Sequence, residues 1–337
     1  QVGELTGFLS YVMQILNSFI MISNVFLLLT RSLASIHRIC EVLDEPVDLV
    51  SPEAPITEVA DGSVEFRDVS FKYRADAAEN ALEHVNLSIP AGSTVGVLGG
   101  TGSGKTTLVQ LIPRLYDASE GSVLVGGRDV RSYDLEALRN AVSIVLQKNV
   151  LFSGTVRENL CWGNPKATTE ELLEACRRAR VDEFLDRLPG GLEYDLGQGG
   201  VNVSGGQKQR LCIARALLKR PRVLIFDDST SAVDTATDAD IRASLAALTG
   251  VTKIIIAQRV SSVADADQIV VLDDGRVHAV GTHAELLASD SIYQEIYASQ
   301  THGPNGDGVK RDHQAAPENV GWVKTTPSQK GSEGGER

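Results

Sequence analysis

A chain of 337 residues, 42% hydrophobic and 23% charged, has enough apolar material for one large packed domain or two modest ones. Its formal net charge of −12 excludes nucleic acid as a general partner, because a phosphate backbone is bound through an excess of Lys and Arg. The four cysteines (Cys40, Cys161, Cys176 and Cys212) are scattered without zinc-ligand or redox spacing, so they are expected to be packing residues in a reducing compartment.

The chain begins with Gln1 rather than Met, inside an apolar approach, which is the expectation for a piece of a longer protein. From Leu5 to Thr30 no residue is charged, and the stretch is dense in Ile, Leu, Phe and Val. About 20 such residues span a bilayer as a helix. A buried core helix or a signal peptide are the alternatives. A signal peptide needs a basic start and a small-residue cleavage site, whereas here Glu4 precedes the run. Arg31, His37 and Arg38 follow it and put its C-terminal end in the cytoplasm. The helix is expected to continue through Ile39 and Leu43 and to stop near Pro46. Residues 47–62, with Pro52 and Pro55, form a linker.

From Ser63 the pattern changes to strand-like spacing at Val64, Phe66, Val69, Phe71 and Tyr73, with another short strand around Leu87 and Ile89. An apolar strand from Thr94 to Leu98, a glycine-rich turn and a helix from Lys105 to Leu115 follow. Strands and helices alternate to about Ala298, which predicts an α/β domain with a parallel core sheet. The tail from Thr301 to Arg337 is rich in Gly, Pro and charge, lacks periodicity, and is expected to be disordered.

The run Gly99, Gly100, Thr101, Gly102, Ser103, Gly104, Lys105, Thr106, Thr107 fits the phosphate-binding P-loop, with the required strand before it and helix after it. Its glycines let backbone N–H groups surround phosphates, and the helix N-terminus adds partial positive charge. Lys105 would reach the terminal phosphates, and the Thr106 hydroxyl would ligate Mg²⁺. The alternative is a chance glycine turn. Val223 to Phe226 is an apolar strand ending in Asp227. Placed beside the P-loop strand, it would bring that carboxylate to the metal, the Walker-B role. Alone, most such runs are only core strands. Between these two segments, Ser204-Gly205-Gly206-Gln207-Lys208-Gln209-Arg210 opens a helix whose apolar positions are Leu211, Ile213, Ala214 and Leu217. Ser followed by two glycines is also what an ordinary helix start looks like.

At its place between a P-loop and an Asp-ended strand, this string resembles the signature of the ABC transporter family. From Val64 to about Ala298 the chain resembles the nucleotide-binding domain of B-type ABC exporters, and the upstream helix resembles their sixth transmembrane helix. The resemblance implies an α/β P-loop NTPase with a parallel core sheet, an antiparallel β subdomain and an α-helical subdomain, preceded by one transmembrane helix. It divides the chain into residues 1–46 (last transmembrane helix and its cytoplasmic extension), 47–62 (linker), 63–300 (nucleotide-binding domain) and 301–337 (tail). It implies ATP and Mg²⁺ as cofactors, with Tyr73 stacking on adenine and Gln147, after the strand from Val142 to Leu146, as the Q-loop glutamine that touches the metal. Ser231 and Asp234 match the D-loop, with Val233 in place of the usual Leu. In this family two domains clamp two ATP molecules head to tail, so Ser204, Gly205, Gly206 and Gln207 would act on the partner's ATP.

Two positions depart from the family. Asp228 stands where the family places the Glu that polarises the attacking water, and Gln258 stands where it places the switch His. Asp is one methylene shorter, and a misplacement of about 1 Å can cost on the order of 100-fold in rate. Gln cannot carry the imidazolium charge that would stabilise a developing phosphate anion. The resemblance therefore implies one half of a heterodimeric exporter in the cytoplasmic membrane, with a slow ATP site of its own and an unidentified transported substrate. A slow homodimer and a mainly regulatory ATP-binding subunit are the alternatives. A soluble ABC ATPase is disfavoured by the helix from Leu5 to Thr30. Arg177, Arg178 and Arg180 are expected on a solvated helix face.

Overall fold

The computed structural model describes residues 2–74, 76–227, 243 and 248–301. Asp228, Ser231, Val233, Asp234 and the tail beyond Thr301 lie outside the described residues.

Helix α1 (Val2–Leu43) runs 42 residues without a buried one. At 1.5 Å per residue it is about 63 Å long, roughly twice the thickness of a bilayer's hydrocarbon core. Its apolar part therefore has the length to span, with a further extension beyond Arg31. The hydroxyls of Thr6, Ser10, Ser18, Ser23 and Ser35 each donate to the carbonyl four residues back, and Thr30 bonds the Phe26 and Leu27 carbonyls. These hydroxyls are thereby satisfied within the helix, as an apolar medium requires. The helix stops three residues before Pro46.

Residues 44–63 form no regular element, yet they are docked. Ile56 makes an isolated parallel bridge with Tyr133. The Ser51 hydroxyl donates to the Asp134 carboxylate at 3.0 Å, and Arg114 Nη1 donates to the Val50 carbonyl at 3.1 Å. Arg114 is itself buried and paired with Asp117.

Strands β1 (Val64–Phe71), β2 (Leu82–Ile89), β4 (Glu120–Val125) and β5 (Arg128–Asp129) form an antiparallel sheet in the order β2-β1-β4-β5. Val64 and Phe66 face inward in phase. A bulge then re-phases the strand, with Asp68 at φ 50°, and Val69 and Phe71 also face inward. The second sheet contains β3 (Thr94–Gly99), β6 (Val142–Val145), β7 (Val223–Asp227), β8 (Thr252–Ile256), β9 (Gln268–Asp273) and β10 (Arg276–Gly281), in the order β10-β9-β3-β8-β7-β6. All its pairings are parallel except the edge pair β9–β10. The two sheets meet where the Glu83 N–H donates to the Gly275 carbonyl and Arg276 pairs with Glu83.

One apolar core lies between the sheets and helix α2 (Lys105–Leu111), with Val95, Val97, Leu108, Leu111 and Ile225 among its buried members. Helix α2 is shorter than the expected Lys105 to Leu115: Ile112 keeps helical φ and ψ, but Pro113 has no N–H to continue the hydrogen-bond ladder. The loop after β5 leads through Tyr133 to α3 (Leu135–Ala141). A second core joins α4 (Val156–Cys161), α5 (Thr169–Arg178), α6 (Asp182–Leu185) and α7 (Gly205–Leu218) to Val145, Leu224 and Phe226. Capping boxes start α4, α5 and α7 at Thr155/Glu158, Thr168/Glu171 and Ser204/Gln207, each worth about 1 kcal/mol. A third core holds α8 (His283–Ser289) and α9 (Ser291–Thr301) against β9. The antiparallel sheet and the helical layer match the expectation, and the core sheet is parallel as expected except at its antiparallel edge strand β10.

Cys176 and Cys212 are buried in the helical core, and burial pushes the Cys176 thiol up to about 12, so both are packing residues as expected. Cys161 is half-buried. Cys40 departs from the expectation: it is exposed on α1, where packing within this chain does not account for it. Arg177 and Arg178 pair with Glu174 on the solvated face the sequence predicts, whereas Arg180 lies past the end of α5 at φ 57° and pairs with Glu183.

Candidate nucleotide site

The P-loop follows β3 and opens α2. Gly102 and Gly104 sit at φ 86° and 90°, and Gly104 is the helix N-cap. A Cβ on Gly104 would fall 2.8 Å from the Ala81 carbonyl oxygen, so both conformation and space demand glycine there. The Lys105 ammonium folds over the loop, donating to the carbonyls of Gly99 (2.9 Å) and Gly100 (2.6 Å) and to the Ser103 hydroxyl (3.3 Å). Thr101 and Gly102 lie at the exposed turn of the loop.

Asp227 ends β7 and is buried. The pattern predicts its strand beside the P-loop strand; instead β8 lies between β3 and β7. The carboxylate still reaches the loop, because both strands end at the same edge of the parallel sheet. The Thr106 hydroxyl lies 3.3 and 3.2 Å from the two Asp227 oxygens. A hydroxyl and a carboxylate converging beside a phosphate loop are hard oxygen donors, the chemistry that suits Mg²⁺. Such a site takes its remaining ligands from phosphate and water, and no cluster of three or more His, Cys, Asp or Glu side chains with metal-binding geometry occurs among the described residues.

Tyr73 is half exposed. Its hydroxyl lies 2.9 Å from that of buried Thr107, and its ring meets Phe71 and Tyr116 edge-on at 4.9 and 5.3 Å. The aromatic candidate and the phosphate loop's helix are thus tied together. Gln147 is exposed two residues past the end of β6. The segment after it is firmly held. The buried Asn159 side chain bonds both the N–H and the carbonyl of Phe152, and Arg215 of α7 donates to the Val150 carbonyl at 3.0 Å.

Gln258 lies exposed just past β8, at the same sheet edge as Gly99 and Asp227. Ser204, Gly205, Gly206 and Gln207 open α7 in the helical layer. The Ser204 N–H donates to Gln207 Oε1 (2.8 Å), and the Gln207 N–H donates to Ser204 Oγ (3.3 Å). This box is legible as Ser-x-x-Gln, although the two glycines draw the eye first. Sequence reasoning missed Asn159, Arg215 and Gln300, whose contacts are side chain to backbone across the fold and leave no local pattern.

A family model described as ABC transporter matches residues 82–231. The chain carries an ABC transporter ATP-binding domain. It is 44% identical over 316 residues to an uncharacterized ABC transporter ATP-binding protein of Mycobacterium tuberculosis, covering 92% of this chain and 54% of that one. It is 40% identical over 281 residues to a protein of Desulfotalea psychrophila named as an ATP-dependent lipid A-core flippase, covering 83% of this chain and 49% of that one. The solved structure of a bacterial Atm1-family ABC exporter with ATP bound superimposes with a TM-score of 0.77 at 37% identity, over 82% of this chain and 48% of that one. The chain thus spans about half the length of the relatives it matches. The P-loop, Asp227 and the Ser204–Gln207 run all fall inside the matched ABC transporter segment.

Proposed function

We propose that this chain is the ATP-binding half of a membrane exporter that works as a pair of half-transporters. The observation that carries the reading is the convergence of Thr106 and Asp227 beside the P-loop, in an ABC ATP-binding domain that follows a helix long and apolar enough to span a bilayer. ATP would sit with its adenine on Tyr73 and its phosphates on the loop from Gly99 to Thr107. Lys105 would exchange neutral carbonyl acceptors for anionic phosphate oxygens, a stronger class of hydrogen bond. Thr106, Asp227 and Gln147 would hold Mg²⁺, whose charge supplies stabilisation of the β- and γ-phosphate oxygens. Relatives and a solved neighbour named for flipping and export support outward transport and a cytoplasmic ATP-binding domain on the cell membrane.

In this reading the pair is unequal. Asp228 and Gln258 leave this chain's own site slow, while the Ser204–Gln207 segment completes the partner's site. With its α7 N-terminus facing the partner's γ-phosphate, the chain contributes helix-end partial charge to a site it does not bind. The test is ATPase activity of the full-length chain alone and with its partner half. Little turnover alone and strong turnover as the pair is expected, and exchanging Asp228→Glu together with Gln258→His raises hydrolysis at this site by roughly 10-fold or more. Robust turnover by the unaltered chain alone overturns the unequal-pair reading.

A further inference from the structure

Helix α9 takes hold of the segment that presents Gln258. The Gln300 side-chain amide, near the end of that helix, grips the backbone on both sides of Arg259. The Val260 N–H donates to Gln300 Oε1 at 2.8 Å, and Gln300 Nε2 donates to the Gln258 carbonyl at 2.8 Å. An amide offers one acceptor and one donor side by side, so it pairs with the segment as a neighbouring strand would. On the upstream side, the Ala257 N–H donates to the Val97 carbonyl of the P-loop strand. The peptide bearing Gln258 is therefore fixed between β3 and α9, with its side chain left exposed.

The apolar packing makes the same connection. Val260 and Val263, in the turn after Gln258, share one buried cluster with Tyr293, and Ile292, Ile296 and Tyr297 of α9 pack against it. The start of α9 is anchored in turn. Tyr293 is fully buried, its hydroxyl 2.6 Å from His283 Nδ1 and its N–H donating to Asp290 Oδ1 at 2.7 Å, while Asp290 also pairs with His278 at 3.0 Å. Burial, with Tyr297 nearby, pushes the Tyr293 hydroxyl up to about 12, so it stays protonated in that bond. The helix is rigidly seated at one end and holds the segment at the other.

We propose that Gln300 is a positioning residue of this chain's ATP site, setting through its two-pronged grip on residues 258 and 260 where the side chain at position 258 meets the γ-phosphate. The proposal rests on reading position 258 as the γ-phosphate switch. By the same geometry, whatever moves α9 also moves the switch.

The test uses the full-length chain paired with its partner half. In Gln300→Ala, amide hydrogen exchange of peptides covering residues 257–263 quickens about fivefold, the expected result of losing a hydrogen bond at Val260. Gln300→Glu keeps the acceptor for that N–H and retains part of the protection. In the Asp228→Glu, Gln258→His background, Gln300→Ala lowers kcat roughly tenfold while the KM for ATP and the Tm hold, the split expected of a misplaced group. Unchanged exchange at 257–263 overturns the proposal, as does unchanged kcat in an active background. Exchange that quickens across the whole domain with a fallen Tm also overturns it, because the role is then merely structural. If the doubly exchanged background is not activated, the unequal-site reading fails instead, and the exchange result alone decides for Gln300.

Discussion

On the proposed reading Asp228 and Gln258 would act on two different atoms, so their departures should be separable. The carboxylate at 228 would act on the attacking water, where reach matters. The group at 258 would act on the γ-phosphate, where charge matters. Asp228→Glu alone should therefore raise turnover at this site without adding a new pH dependence. Adding Gln258→His introduces an imidazole of ordinary pKa about 6.5, so the extra turnover should grow as pH falls through about 7 and the ring becomes cationic. A pH–rate series on the two variants checks this, and a pH-flat gain from the histidine speaks against electrostatic help at that position.

The signature's Gln207 offers a second separation at the same scale. It closes the capping box with Ser204 at the start of α7. Gln207→Glu preserves the box and adds a negative charge in the first helical turn, which stabilises a helix by about 0.3–1 kcal/mol. The same charge would face the partner's γ-phosphate and repel it. The denaturant midpoint should hold or rise while the pair's turnover falls severalfold, a combination that simple loss of structure cannot produce.

Among the elements, α1 carries more information than its apolarity. At 100° per residue, Gly7, Ser10, Gln14, Asn17, Met21 and Asn24 fall on one side of the helix, and Phe8, Leu16, Phe19 and Phe26 on others. Polar groups within a spanning helix face protein or water rather than lipid. If the chain works in an exporter as proposed, Asn17→Leu and Asn24→Leu should impair the assembled pair's substrate-stimulated ATPase severalfold, whereas Phe19→Leu should leave it near the unaltered value. The linker is an element in its own right because of Ser51 and Asp134. Hydrogen bonds from the Ala137 N–H and then from Ser51 hold the Asp134 carboxyl below its ordinary value. Its contribution to stability is present above that ordinary value of about 3.8 and is lost as pH falls through the lower folded value. The protection of residues 50–56 against hydrogen exchange, relative to the intrinsic rate at each pH, should therefore fall on acidification below about pH 4, and Asp134→Asn should remove that step.

What the sequence made legible, and what it did not, divides along these lines. The P-loop, the capping box and the long apolar helix are short-range patterns whose chemistry is written in adjacent residues. The insertion of β8 between β3 and β7 is a fact of strand order, which no local pattern encodes. The docking of Val50 and Ser51 on Arg114 and Asp134, like the grip of Gln300 on residues 258 and 260, joins positions far apart in the chain through backbone groups that every residue possesses.

At the scale of the whole molecule, an unequal pair makes a claim about occupancy that neither site makes alone. This chain's site keeps the groups that bind ATP: the loop that Lys105 closes, the Thr106–Asp227 pair, and Tyr73 beside Thr107. On the proposed reading its substitutions fall on the groups that would cleave ATP, so binding and hydrolysis would be uncoupled here and coupled across the pair. Each closure would then consume the nucleotide that lies on the partner's P-loop and this chain's Ser204–Gln207, while the other ATP stays intact. Trapping the pair after one turnover with labelled ATP should recover ADP and uncleaved ATP in about equal amounts, the ATP held by this chain. Lys105→Ala should remove the retained ATP and leave the ADP fraction. Asp228→Glu with Gln258→His should convert the retained ATP to ADP on a similar timescale. Two ADP molecules from the unaltered pair would mean that both sites fire, and that the shorter carboxylate at 228 reaches the water after all.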